Sequence, residues 1–454
     1  MSRRQRWGSP RIRPGRHGRV ASALLHCLAA IAVLSAAAKP ASAYSVLTHE
    51  AVIDSVWDDS LRPALLARFP KASPDELRKA HAFAYGGVIV IDIGYYPFEV
   101  PFYSDLTHYA RSGEFIENLI ADARTLDEYA FALGAIAHFP GDSNGHSLAT
   151  NRSVALLYPK LRRKYGETVT YADDDKSHTQ TEFAFDVLQA ARGRYAPQAY
   201  HDFIGFEVCE DLLERTFVKT YGLSLDDIFD HRDFAIGSFR FAVRTLVPNA
   251  TKMAWQIKKD EIVKSNPGVV REKFVYEMSV KDYEKEWGTS YTHAGVGTKI
   301  LSAIIRVLPK IGPLKAYGFE APTPEAERLY VESFDRTVSD YRRLLADARR
   351  GKLELENRNF DTGKPLRLGE YVLADQTYEK WLRKLERANF RNATPEIRRD
   401  IEAFYSTEPP AVASTATRAR RAEAEASQKS IREARKLVSR LEAATDPPDR
   451  LAKR

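Results

Sequence analysis

The sequence predicts a mainly helical protein. Apolar residues recur at three-to-four spacing through Leu126–His138 and again through Thr179–Ala191, where Phe183, Val187 and Leu188 share a face. Between Thr323-Pro324, a helix start signal, and Gly351, a stop signal, Leu329, Phe334, Val338, Tyr341 and Leu345 are spaced as on one long amphipathic helix. Tyr378, Leu382 and Leu385 mark a further helix, and Pro74-Asp75-Glu76 opens an earlier one. One passage dissents. Val88-Ile89-Val90-Ile91 is a β-branched run that, taken alone, reads as a buried strand.

The chain has 454 residues, of which 44% are hydrophobic and 28% charged, a composition that excludes disordered and collagen-like classes. Two cysteines, Cys27 and Cys209, exclude a disulfide framework. The net charge of +7 belongs to the ends. Residues 1–43 hold eight Lys/Arg and no acid, residues 411–454 are net +5, and the body between them is −6. A general nucleic-acid-binding surface is therefore not expected.

Residues 1–43 read as an export signal. Seven arginines precede the apolar stretch 20–38, and the small-residue triplet Ala41-Ser42-Ala43 follows it. Cleavage after Ala43 makes Tyr44 the mature N-terminus, so the expected location is periplasmic or secreted. An uncleaved anchor is the alternative, since 19 apolar residues just span a bilayer. Beyond it the chain divides into a histidine- and aromatic-rich region, 44–260, a helical C-terminal region without a readable function, 261–405, and a basic linker and tail, 406–454. In the second, an apolar helix-like stretch covers 295–313. The tail is thin in large apolar residues and is expected to be flexible or marginally helical.

The chemistry lies in His49, Asp92, His108, His138, Asp142, His146, His178 and Glu182. His138/Asp142 and His178/Glu182 have i, i+4 spacing, which on a helix places imidazole and carboxylate on one face about 5–6 Å apart. Such pairs can bind zinc through N and O ligands. A single pair of this kind is commonly surface decoration. Several in one region, on segments apolar along one side, point to a shared interior, where charges need partners or metals. Pro140 lies inside the first pair and is expected to disturb a regular helix, and Ser143-Asn144-Gly145 before His146 reads as a loop.

In order and local context these residues resemble the zinc-dependent phospholipase C family, which has zinc-dependent single-strand nucleases as distant cousins. The resemblance rests on Tyr44-Ser45-Val46-Leu47-Thr48-His49, Gly87 to Asp92, Thr107-His108, Ala137-His138-Phe139-Pro140-Gly141-Asp142, the lone His146, and His178-Thr179-Gln180-Thr181-Glu182. It implies an all-α multi-helix bundle with a helical C-terminal extension, in which Val88–Ile91 is an extended loop. It also implies up to three zinc ions. One would be held by Asp92, His108, His138 and Asp142, and a second by His146, His178 and Glu182. The third would be held by the Tyr44 amine and carbonyl, His49 and a bridging Asp142. Asp92 would also orient or deprotonate the attacking water. The family's usual N-terminal tryptophan is a tyrosine here, and Asp142 and His146 are closer in sequence than is usual.

The implied activity is phosphodiester hydrolysis of phospholipids, with a phospholipid or membrane surface as partner and no nucleic acid. The alternatives are a zinc nuclease of the same superfamily and a catalytically impaired metal-binding envelope protein. The aromatic stretch Tyr95–Tyr103 can line a headgroup site through cation–π contact or pack as core. His81, His201 and His231 read as structural or surface residues. Asp186 reads either as support for a ligand histidine or as a helix-surface acid.

Overall fold

The chain is almost wholly α-helical. Its computed structural model describes residues 45–95, 100–191, 206–265, 267–268, 270–271, 320–414 and 416–444, all within one compact unit, Lys39–Arg454. Segment 1–43, read above as an export signal, Tyr44, the 295–313 stretch and His201 lie outside the described residues.

Among the described residues, the first helices are α1 (Val46–Asp54), α2 (Arg62–Arg68), α3 (Pro74–Val90), α4 (Pro101–Tyr109) and α5 (Ser112–Asp122). The centre of the fold is α6 (Leu126–Asn144), which continues through a π-helical turn, Gly145–Thr150, into α7 (Asn151–Leu157). Then come α8 (Pro159–Tyr165), α9 (Asp175–Ala191), α10 (Glu210–Tyr221) and α11 (Arg232–Ser265). The C-terminal part holds α12 (Pro324–Arg349), α13 (Val372–Arg387), α14 (Pro395–Tyr405) and α15 (Arg418–Ala443). Between α12 and α13 lies an antiparallel hairpin, β1 (Arg358–Asn359) and β2 (Lys364–Pro365), the one sheet among the described residues. None of the described helices is long and apolar enough to cross a membrane.

The helix starts follow the sequence. Ser73 and Glu76 form a reciprocal capping box on α3, and Thr125 and Glu128 do the same on α6, each satisfying two exposed donors. Thr323 caps α12 with Pro324 at the first helical position, as its signals predict.

Four expectations need correction. Val88–Val90 is neither strand nor loop but the last turn of α3. Its residues are buried all round, and the close packing of α3 against α6 outweighs the weak β preference of branched side chains. Helix α6 runs through Pro140, and hydroxyls of α12 bond two of its carbonyls: Tyr341 to Leu133 at 2.9 Å and Thr337 to Pro140 itself at 3.1 Å. Ser143-Asn144-Gly145 is helical and not a loop. Finally, the tail is not flexible over 418–443. It forms α15, which buries Ile431, Ala434, Leu437, Val438 and Leu441 against α13. Those few apolar residues fall on one face, so a sparse composition still supplies a complete stripe.

The regions read as 44–260 and 261–405 share one apolar core. Val338, Tyr341 and Leu344 of α12 and Trp381 and Leu385 of α13 belong to the same cluster as Leu133 and Ile136 of α6. Helix α11 passes through residue 260 without interruption.

Candidate metal centre

A glycine-mediated helix crossing builds the first cluster. A Cβ on Gly87 would lie 1.9 Å from the Phe131 carbonyl oxygen, and one on Gly134 would lie 2.1 Å from that of Ala84. Only hydrogen fits there, so α3 and α6 touch backbone to backbone. The contact sets the Val88 carbonyl 2.8 Å from His138 Nδ1. Asp92 follows the end of α3 in a turn, its amide bonded to Ile89 O at 3.1 Å. On α4, His108 Nδ1 donates to the Ser104 carbonyl at 2.8 Å. A carbonyl only accepts, so both rings carry hydrogen on Nδ1 and turn the Nε2 lone pair inward.

The inward atoms converge. His108 Nε2 is 3.3 Å from Asp92 Oδ1 and 3.2 Å from Asp142 Oδ2. His138 Nε2 is 3.0 Å from Asp142 Oδ2, 3.4 Å from His108 Nε2 and 4.0 Å from Asp92 Oδ1. Four ligands held tetrahedrally at about 2.1 Å from one zinc ion are about 3.4 Å from each other. The separations bracket that value, and the donor set of two imidazoles and two carboxylates suits zinc.

The second cluster depends on the π-helical turn. The turn begins at Gly145, three residues after Asp142, and carries His146 toward α9, so that the two residues face different clusters despite their short spacing. His146 Nδ1 donates to the Phe360 carbonyl at 3.1 Å, and His178 Nε2 donates to Asn151 Oδ1 at 2.9 Å. The opposite ring nitrogens face Glu182 Oε1, at 3.7 Å from His146 Nε2 and 2.7 Å from His178 Nδ1. A nitrogen lone pair and a carboxylate oxygen that close repel each other unless a cation or proton joins them. Among the described residues, His146 Nε2, His178 Nδ1, Glu182 Oε1 and both oxygens of Asp142 are buried with no hydrogen-bond partner. Both groups, Asp92/His108/His138/Asp142 and His146/His178/Glu182, thus have the geometry to hold a metal ion.

The electrostatics agree. Burial opposes a charge on Asp142, but the imidazoles of His138, His108 and His49 outweigh it and hold its carboxyl well below the ordinary range. Burial likewise opposes a charge on His108, yet Asp142 and Asp92 lift it to about 10, so a positive charge, proton or metal ion, is favoured at its inward Nε2. Burial pushes Glu182 well above the usual carboxylate range, and the charges of Asp142 and Asp92 add to the shift. His178 is driven well below its ordinary value by burial and by His146. The second cluster thus lacks a positive charge that a divalent ion would bring.

A family model described as zinc dependent phospholipase C matches residues 48–229, a segment that contains both clusters. This segment belongs to the zinc-dependent phospholipase C family. No curated protein and no solved structure matches the chain.

The remaining predicted residues of this zinc-dependent phospholipase C segment fall around the two clusters. His49 is fully buried on α1, stacked on His138 with ring centroids 4.7 Å apart. Its Nε2 is 3.3 Å from Asp142 Oδ1 and 3.7 Å from Asp92 Oδ2, so Asp142 turns one oxygen to His49 and the other to His108 and His138. Asp186 is buried and not a surface acid. Its carboxylate accepts from the amides of Leu47 and Thr48, both at 3.0 Å, and so caps α1, the helix that carries His49. His81 is structural, paired with Asp54 at 3.0 Å and stacked on Trp57, whereas His231 is exposed. Of the aromatic stretch, Tyr95 lies edge-on to His108 with centroids 5.1 Å apart, while Tyr103 is core, stacked on Phe217. Residues 96–99 lie outside the described ones.

Three residues at this centre have no signal in the sequence: Asn151, Phe360 and Asp361. Asn151 and Phe360 hold a histidine each, and Asp361 Oδ1 lies 3.5 Å from His146 Nδ1. The last two come from the hairpin, more than 200 residues beyond His146, where no local periodicity connects them to the site.

Proposed function

We propose that the protein is an exported zinc-dependent hydrolase of the phospholipase C type, which cleaves the glycerol-side phosphodiester bond of phospholipids with water. The observation that carries this reading is the pair of buried donor sets with Asp142 between His49 and the His108/His138 pair. When bound there, zinc would supply charge neutralisation for the phosphate and a lowered pKa for water.

The chain's own residues have distinct tasks. Val88, Ser104, Phe360 and Asn151 fix the ring tautomers, so the donor atoms are organised before anything binds. Asp92, in the turn after α3, is the carboxylate assigned to orient the attacking water and accept its proton. In the reaction a water oxygen bonds to phosphorus, the bond to the glycerol oxygen breaks, and the proton passes to that oxygen. Diacylglycerol and a phosphorylated headgroup result. Tyr95, buried edge-on to His108, is the member of the aromatic stretch that touches the first cluster. The export part of the proposal rests on residues 1–43, and the third metal position rests on Tyr44 joining His49 and Asp142.

The test is hydrolysis by the mature chain of phosphatidylcholine vesicles and of single-stranded DNA, with and without prior chelation. The proposal expects zinc-restorable release of phosphocholine and little cleavage of DNA, consistent with the acidic body. DNA cleavage alone would favour the nuclease. Bound zinc with neither activity would favour an impaired metal-binding protein.

A further inference from the structure

We propose that the hairpin around Phe360–Asp361 clamps the second metal position, so that the C-terminal region is part of the metal centre. The proposal rests on the metal-site reading above and concerns positioning residues, not ligands.

Three links start from two consecutive residues. The Phe360 carbonyl takes the Nδ1 hydrogen of His146 at 3.1 Å. The Asp361 carbonyl takes a hydrogen from Asn151 Nδ2 at 2.7 Å, and Asn151 Oδ1 in turn takes the Nε2 hydrogen of His178 at 2.9 Å. The Asp361 carboxylate adds a negative charge 3.5 Å from His146 Nδ1, on the side away from Glu182. Both imidazoles of the His146/His178/Glu182 set are therefore oriented, and their tautomers chosen, by one dipeptide. A carboxylate or carbonyl behind a ligand imidazole also makes the ligating nitrogen more basic.

The clamp is itself held. Asp361 is buried, and its Oδ2 accepts hydrogen bonds from Tyr109 at 2.8 Å and from Tyr371. Tyr109 ends α4, one residue after His108, so the same carboxylate ties the hairpin to the helix of the first cluster. The hairpin tip is seated on α6. Gly363 has φ +67°, and a Cβ on it would lie 2.5 Å from the Ser143 carbonyl, one residue past Asp142. Helix α7 supplies Asn151 and α6 leads to His146, so the second position is assembled only when the segment after α12 is docked.

The experiment is zinc competition against a chromophoric chelator on the full mature chain, with folding followed by circular dichroism. Asn151→Leu and Asp361→Ala are each expected to weaken one zinc ion by about 10–100-fold and to leave the tighter remainder at parent affinity. Asp361→Asn keeps acceptors for the two tyrosines and is the variant safest for folding. It should give a smaller loss at the same ion, because the charge near His146 goes while the hairpin stays. His178→Ala marks which ion that is. Cobalt substitution gives a second readout: the visible spectrum of that site should change in Asn151→Leu while the first cluster's bands persist. Folded Asn151→Leu and Asp361→Asn chains with parent zinc affinities and parent cobalt spectra would overturn the clamp. A His178→Ala chain that loses no zinc would overturn the metal reading and the clamp with it.

Discussion

At the scale of single residues, Asp142 separates two kinds of ligand. Its Oδ1 faces His49 and its Oδ2 faces His108 and His138, whereas Glu182 Oε1 faces His146 and His178. Asp142→Asn puts an amide, a poor zinc ligand, where two sets of lone pairs converge. It should release zinc from the first cluster and lower affinity there by more than about 100-fold, beyond what loss of a supporting group costs. Glu182→Gln should release one ion and spare the first cluster. Zinc per chain by mass spectrometry after gel filtration checks both when each change is combined with His178→Ala; an Asp142→Asn/His178→Ala chain that loses no more zinc than His178→Ala alone, or a Glu182→Gln/His178→Ala chain that does lose more, would contradict the division. The members of the two donor sets were legible in the sequence chiefly through His138/Asp142 and His178/Glu182, which fall in short repeats on helices. Asn151, Phe360 and Asp361 were not, because a carbonyl or an amide can serve from any residue type and any place in the chain. His146 was named, but its path was not legible: Ser143-Asn144-Gly145 reads as a loop, whereas the chain stays helical there and enters the π-helical turn that carries His146.

At the scale of elements, the long helices α6, α9 and α12 were readable from caps and periodicity, and the end of α3 was not. A buried helix end and a buried strand are both continuous apolar runs, and the two glycines that decide the matter act through a partner helix. Helix α15 was misread because composition was weighed over its full length while its burial is confined to one stripe. Leu437→Ala, inside that stripe, should cost about 2–5 kcal/mol in chemical denaturation, the usual range for a buried leucine. A loss near zero would mean that α15 does not dock in solution. The α13–α15 seam also carries a buried acid. Asp375 accepts from Ser427 Oγ and from the Gly369 amide at 2.9 Å, and burial raises its carboxyl to about 6. The folded chain therefore holds this proton to higher pH than the unfolded chain, whose aspartates titrate near ~3.9. The acid's contribution is most favourable below that window and declines as pH rises to about 6. Asp375→Asn should match the parent near pH ~4 and be more stable by up to about 3 kcal/mol at pH ~7. A stability difference that does not change with pH would show that the carboxylate is solvated.

At the scale of the whole molecule, the described C-terminal helices and the family segment 48–229 form one folded unit, with the hairpin reaching back into the metal centre. Sequence reading set them apart because contacts between distant segments leave no mark in either one. The acidic body, net −6 between the two basic ends, does not suit a polyanion as partner. The central claim is that the two buried donor sets hold zinc side by side. Anomalous scattering across the zinc absorption edge, from crystals of the mature chain, tests it most directly. The account predicts one peak among Asp92, His108, His138 and Asp142 and another among His146, His178 and Glu182, with any third peak between His49 and Asp142. A zinc-supplemented crystal with no peak at either donor set, in a chain folded as described, would contradict it.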